Sequence, residues 1–158
     1  MDRPIEAMWR IFPTGDKSVL ELRGIWPKGV PGSKSPQIRH FHAAQLGGRD
    51  ACRNACEGEA LRLNAAGFNV YIVMNPIRQD FKGGDGVAVK DQDIAYRDLL
   101  LIDIDRAKSV VEPANDQEVE EARLLALHIE RFLTDRGWPE AIWVMSGNGY
   151  HLYFILKD

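Results

Sequence analysis

Apolar and polar positions alternate along VLELRGIW (19–26), which predicts a strand. Pro27, Gly29, Pro31 and Gly32 follow as a turn-rich loop. Residues 35–66 read as helical in two pieces, broken near LGGRD. In the second piece Ala51, Ala55, Ala60, Leu61 and Leu63 are the expected inward residues, and Gly67 suits the position just past the helix end. FNVYIVMNP (68–76) predicts a strand stopped at Asn75-Pro76. The polar, glycine-rich stretch 77–95 predicts a mobile loop or short hairpin.

The second part of the chain is patterned more strongly. YRDLLLIDID (96–105) predicts a strand. Residues 115–137 predict a helix with an Asn115/Glu118 capping box and an inward face of Val119, Ala122, Ala126, Ile129 and Leu133. Gly137 and Pro139 end it. AIWVMS (141–146) and YHLYFIL (150–156) predict two strands joined by a tight turn at GNG (147–149). The order β–α–β–β–α–β–β gives an α+β class, with a mixed or antiparallel sheet and helices packed on one face.

Composition narrows the class without identifying a partner. The 158 residues suffice for one domain with a substantial core, and 45% apolar with 27% charged is ordinary for a globular chain. No 18-residue apolar window is present, and the start lacks a secretory pattern, so the expectation is a cytoplasmic protein without membrane association. The net charge of −3 gives no global basic field for nucleic acid. Residues 1–106 carry 15 Lys+Arg against 14 Asp+Glu, while residues 107–158 carry 5 against 9. The acidic excess therefore sits mostly on the long helix. Cys52 and Cys56 lack a second Cys/His pair at zinc spacing and read as ordinary helical thiols.

Two stretches carry candidate chemistry. In LLLIDIDRA (99–107), Asp103 and Asp105 are two apart on a strand and share a face, with Leu100, Ile102 and Ile104 on the other. Adjacent carboxylates repel unless a cation or protons intervene, and their hard oxygens suit Mg²⁺ or Mn²⁺. The plain reading is that the strand has ended and the acids stand in water. In SGNGYHLYF (146–154), Gly147 and Gly149 permit a turn with positive φ and close approach to a ligand. Successive N–H groups in such a turn can cradle an anion. His151 and Tyr153 share a face, with Leu152, Phe154 and Leu156 inward. The plain reading here is a hairpin with an exposed histidine.

Together, in this order, the two stretches resemble the archaeo-eukaryotic primase superfamily, especially its plasmid, phage and bacterial primase-polymerase branches. Asp103 and Asp105 match the family's hydrophobic Asp-x-Asp motif. Ser146, Gly147, Gly149 and His151 match its small-residue and glycine motif leading to a histidine. ELRGI (21–25) and GFNVYIVMNP (67–76) are similar to upstream strands, more loosely. The resemblance covers roughly residues 19–156. It implies an RRM-like unit at 96–158 beside an N-terminal αβ unit at 1–95, the two forming one catalytic domain with the active site between them.

It further implies template-dependent synthesis from nucleoside triphosphates on a DNA template, with a replicative helicase as a possible companion. Asp103 and Asp105 would hold Mg²⁺ or Mn²⁺. His151, across a cleft, would meet the nucleotide's phosphates with help from Ser146, Gly147, Asn148 and Gly149. The family's third acid has no match here, since Asp158 follows His151 too closely. The expectation is therefore the front part of a longer replication protein, or a degenerate relative. His151 on the opposite sheet face from both acids would exclude the reading.

Other residues admit plainer roles. Arg78 and Lys82 either reach phosphates or are solvated loop charges. Arg23 either lines a groove or pairs with Glu21. His40 and His42 lack an evident third metal ligand, and the four tryptophans read as core or hairpin residues. Two other functions compete. A haloacid-dehalogenase-type phosphatase is disfavoured because DIDR lacks the expected Asp-Gly-Thr continuation. A non-catalytic RRM-like nucleic-acid module is disfavoured by the missing aromatic strand and basic balance.

Overall fold

The computed structural model describes residues 4–12, 14–106 and 112–156. The elements are α1 (Pro4–Ile11), β1 (Val19–Ile25), β2 (Gln37–His42), α2 (Ala43–Leu46), α3 (Arg49–Ala65), β3 (Asn69–Ile72), β4 (Leu99–Asp105), α4 (Asp116–Thr134), β5 (Ile142–Met145) and β6 (Gly149–Ile155). The class is α+β. The chain divides into two compact units between Arg97 and Asp98, two residues beyond the boundary expected from sequence. Each unit holds a three-stranded sheet, ordered β2-β1-β3 in the first and β4-β6-β5 in the second. All pairings between these strands are antiparallel.

In the first unit, β1 is central and buried on both faces. Leu20 and Leu22 pack with Ala43, Cys52 and Cys56. On the other face Val19 packs with Ile77 and Val89, flanked by Val73, Phe81 and Ile94. The segment 77–95 is tied at its base rather than loose. An isolated bridge joins Ile77 to Ile94, Arg78 N–H donates to the Asp93 carbonyl at 2.8 Å, and Ala95 N–H donates to the Pro76 carbonyl at 2.8 Å.

Two expectations are corrected here. Residues 37–42 form β2 rather than part of a helix. QIRHFH pairs along β1 from Val19↔His42 to Gly24↔Gln37, and that ladder decides the conformation. In α3 the fully buried residues are Cys52, Cys56 and Leu63, whereas Ala51 and Leu61 are exposed. The cysteines act as small apolar residues and set the inward face one position from the alanine track. Gly67, at φ +90°, ends α3 as expected. Phe68 N–H reaches the Leu63 carbonyl and Gly67 N–H the Asn64 carbonyl.

The second unit follows its sequence pattern closely. α4 begins at a reciprocal box: Glu118 N–H donates to Asn115 Oδ1 at 2.9 Å, and Asn115 N–H donates to Glu118 Oε2 at 3.0 Å. Ala122 and Ala126 of α4 meet Ile104, Leu152 and Phe154 of the sheet, with Ile129 and Leu133 at the flank. Leu156, expected inward, is exposed. The small alanines let α4 lie close over β4 and β6. That packing commits one face of β4 to the α4 core; the other carries Leu99 and Leu101 and then, at the strand's end, the exposed Asp103 and Asp105.

Candidate functional site

Alternation along β4 places Leu100, Ile102 and Ile104 against the α4 core, so Asp103 and Asp105 emerge together on the opposite face. Both acids are exposed. The β4–β6 register sets Asp103 opposite His151, Asp105 opposite Gly149 and Leu101 opposite Tyr153. His151 Nε2 lies 3.2 Å from Asp103 Oδ1, with the two side chains 28% and 55% exposed. His151 is therefore the cross-strand neighbour of Asp103 on the same face, not a group across a cleft. The arrangement that would exclude the primase reading is not the one found.

Tyr153 continues this face. Its ring meets His151 edge-on, with centroids 6.1 Å apart. Burial, and secondarily the Asp103 charge, hold the Tyr153 phenol above its ordinary pKa, so it remains a neutral hydroxyl at physiological pH.

The two glycines of the hairpin act differently. Gly147 has φ +97° at the first central position of the turn, which Ser146 N–H closes by donating to the Gly149 carbonyl at 3.0 Å. Gly149 lies in β6 without a positive φ. A Cβ there would collide with the Ile104 carbonyl oxygen, so this glycine lets β4 approach. The expected positive φ and close ligand approach at Gly149 are thus replaced by close approach of a neighbouring strand.

Asn148 Oδ1 accepts Ala114 N–H at 3.0 Å, which ties the turn to the chain entering α4. Arg106, next after Asp105, bends back the same way. Its Nη1 lies 3.6 Å from Glu118 Oε2, and its guanidinium also donates to the Glu112 carbonyl. Sequence reasoning did not assign these anchoring contacts. Arg106 beside the acids was visible, but its partner depends on how the chain returns into α4.

Arg78 belongs to the first unit. Its guanidinium binds Asp80 through two contacts of 3.0 and 3.1 Å, and this pair depresses the Asp80 carboxyl pKa. In that unit a polar cluster forms around Glu21, which is fully buried. Its Oε2 meets His40 Nε2 at 2.6 Å and accepts Val89 N–H at 2.7 Å; its Oε1 accepts from Arg23 Nε. Arg23 Nη2 also donates to the Val89 carbonyl at 2.9 Å. Arg23 thus has the Glu21 partner that sequence allowed. The His40 pairing was missed because it depends on register between separate strands.

Asp103 and Asp105 supply two exposed hard-oxygen donors on one face. Among the described residues, no group of three or more His, Cys, Asp or Glu side chains is gathered to hold a metal ion. The two-carboxylate set suits an ion that keeps water and substrate phosphate oxygens in its other positions, as Mg²⁺ does. No helix among the described residues is long and apolar enough to cross a membrane. Comparison with known protein families, curated proteins and solved structures finds no match.

Proposed function

We propose that this chain carries the nucleotidyl-transfer face of a primase-polymerase, acting in replication of a plasmid, phage or other mobile element. The observation that supports this reading is the placement of the exposed Asp103 and Asp105 and the half-buried His151 on one sheet face beside the Ser146–Gly149 turn. Asp103 and Asp105 are the residues that would hold Mg²⁺ or Mn²⁺. When bound, the ion would neutralise phosphate charge during transfer to a primer hydroxyl.

His151 Nε2 already meets a carboxylate oxygen, and the same donor edge suits a phosphate oxygen. Gly147 keeps the turn backbone open on its outer side, since no atom lies near the position of an added Cβ. Asn148 holds that turn through Ala114, so its proposed contribution to nucleotide contact becomes positional.

Primer synthesis on single-stranded DNA, measured with Mg²⁺ and with Mn²⁺, tests the reading. The expected result is metal-dependent product that Asp103→Ala abolishes while circular dichroism and DNA binding persist. Nucleotide or DNA binding without synthesis in either metal would replace the enzyme with a binding module. Neither binding nor synthesis from the folded chain would overturn the proposal.

A further inference from the structure

The solvent side of α4 has an arrangement unrelated to the candidate nucleotide site. A surface helix packed on one sheet ordinarily turns polar residues outward. Here Leu124 and Leu127 are 46% and 41% exposed. They border a groove of about 840 Å³ whose lining also includes Trp138 and Trp143.

These leucines belong to a single helical stripe, Glu120, Leu124, Leu127 and Arg131, at i, i+4, i+7 and i+11. The spacing of four, three and four reads the same in either direction, whereas the charge reverses. The reversal belongs to this stripe and not to the whole helix: Arg123 stands among Asp116, Glu118, Glu120 and Glu121 in the first half, and Glu130 stands beside Arg131 near the end.

We propose that α4 is a self-association surface whose occupant is α4 of a second copy, packed antiparallel about a two-fold axis between Leu124 and Leu127. That operation puts Leu124 against Leu127 of the second copy and Glu120 against its Arg131, with both contacts repeated by symmetry. A parallel pairing would set Glu120 against Glu120 and Arg131 against Arg131. The charge order therefore selects the antiparallel arrangement.

Within one chain, Glu120 binds Arg123 through two contacts of 2.7 Å, a surface pair that leaves its carboxylate open to a second guanidinium. Arg131 makes no ion pair among the described residues. Among the described residues, the stripe thus presents a cation without an ion-pair partner, a shared anion and two leucines in a self-complementary order.

Sedimentation equilibrium of the full chain over a concentration series tests this assignment. The expected result is a reversible dimer that weakens roughly tenfold or more in Arg131→Glu and in Glu120→Arg. The double charge swap Glu120→Arg/Arg131→Glu should recover association, because it restores unlike neighbours in the same register. Leu127→Glu should leave a monomer with unchanged circular dichroism. A wild-type monomer at all concentrations, as expected if the groove instead takes a different protein or a small apolar molecule, would overturn the proposal. So would a dimer indifferent to the single charge changes, or a double swap that fails to recover.

Discussion

Each unit builds an acid–histidine pair across neighbouring antiparallel strands, but the two pairs have different surroundings. Glu21 and His40 sit opposite each other in the β1–β2 register, with side chains 0% and 3% exposed. The Glu21 carboxylate is also occupied by Arg23 and by Val89 N–H, beneath the segment that carries Val89. Asp103 and His151 sit opposite each other in the β4–β6 register, longer at 3.2 Å and open to solvent. A buried carboxylate must satisfy its lone pairs internally, so the first pair becomes a fastener. An exposed carboxylate retains access to water, cations and solutes. Burial and the remaining hydrogen-bond partners, rather than residue identity, distinguish the two pairs.

The largest expected break in this comparison is Glu21→Ala. It leaves His40 Nε2 and Val89 N–H without their acceptor and removes the Arg23 partner in a buried setting. A loss of about 3–5 kcal/mol is expected in urea unfolding. A loss below about 1 kcal/mol would make the buried pair energetically indistinguishable from an exposed one.

The same alanine substitution in the two sheets tests how closely their strands are held. Gly149→Ala drives a Cβ into the Ile104 carbonyl, a backbone obstacle, and should cost about 1–3 kcal/mol. At Gly24 the added methyl would meet Leu63 Cδ2 at 3.2 Å and Cδ1 at 3.3 Å, side-chain contacts that a shift of a few tenths of an ångström relieves. Gly24→Ala should therefore stay within about 1 kcal/mol, with reduced unfolded-chain entropy offsetting the crowding. Equal costs in matched denaturation curves would show that Gly149 does not set the β4–β6 spacing.

The second unit was the more legible in sequence because its decisive features are local. The Asn115/Glu118 box spans three positions, and Ala122, Ala126, Ile129 and Leu133 repeat on one helical face. Alternation in LLLIDID likewise put both aspartates on one face. The first unit hid its organisation in pairing between separated segments. QIRHFH becomes a strand through its ladder with β1, and Glu21 finds His40 only in that register. The α3 face was displaced because Cys52 and Cys56, not the neighbouring alanines, fill the core. In the candidate site the acids and histidine were legible, but the fastening of Asn148 to Ala114 depended on the approach of α4.

Cys56 extends the comparison to titration in the first unit's interior. Burial, then Cys52 and Glu57, push its thiol from an ordinary value of 9.0 up to about 12. The folded pKa is raised, so the stabilising difference is fully present below pH 9 and is lost as pH rises from 9 towards about 12. Near pH 10 the loss from this group is on the order of 1 kcal/mol. Cys56→Ala should therefore flatten the alkaline limb of stability against pH, whatever its constant packing cost. Parallel limbs for the two proteins would remove Cys56 as the cause.

The smallest expected stability effect is the most diagnostic for the open pair. Asp103→Asn keeps the size of the side chain and an oxygen that can accept from His151, but removes the charge. Exposed pairs are screened and contribute little, so the unfolding free energy should change by about 0–1 kcal/mol. The same protein should lose metal-dependent primer synthesis, because a carboxamide is a poorer ligand for a hard cation than a carboxylate. Stability and activity would then separate at Asp103, whereas Glu21→Ala acts first on the fold. A loss of several kcal/mol at Asp103 would instead make the β4–β6 pair a second fastener, and the exposed carboxylate would no longer distinguish the candidate site from the buried cluster.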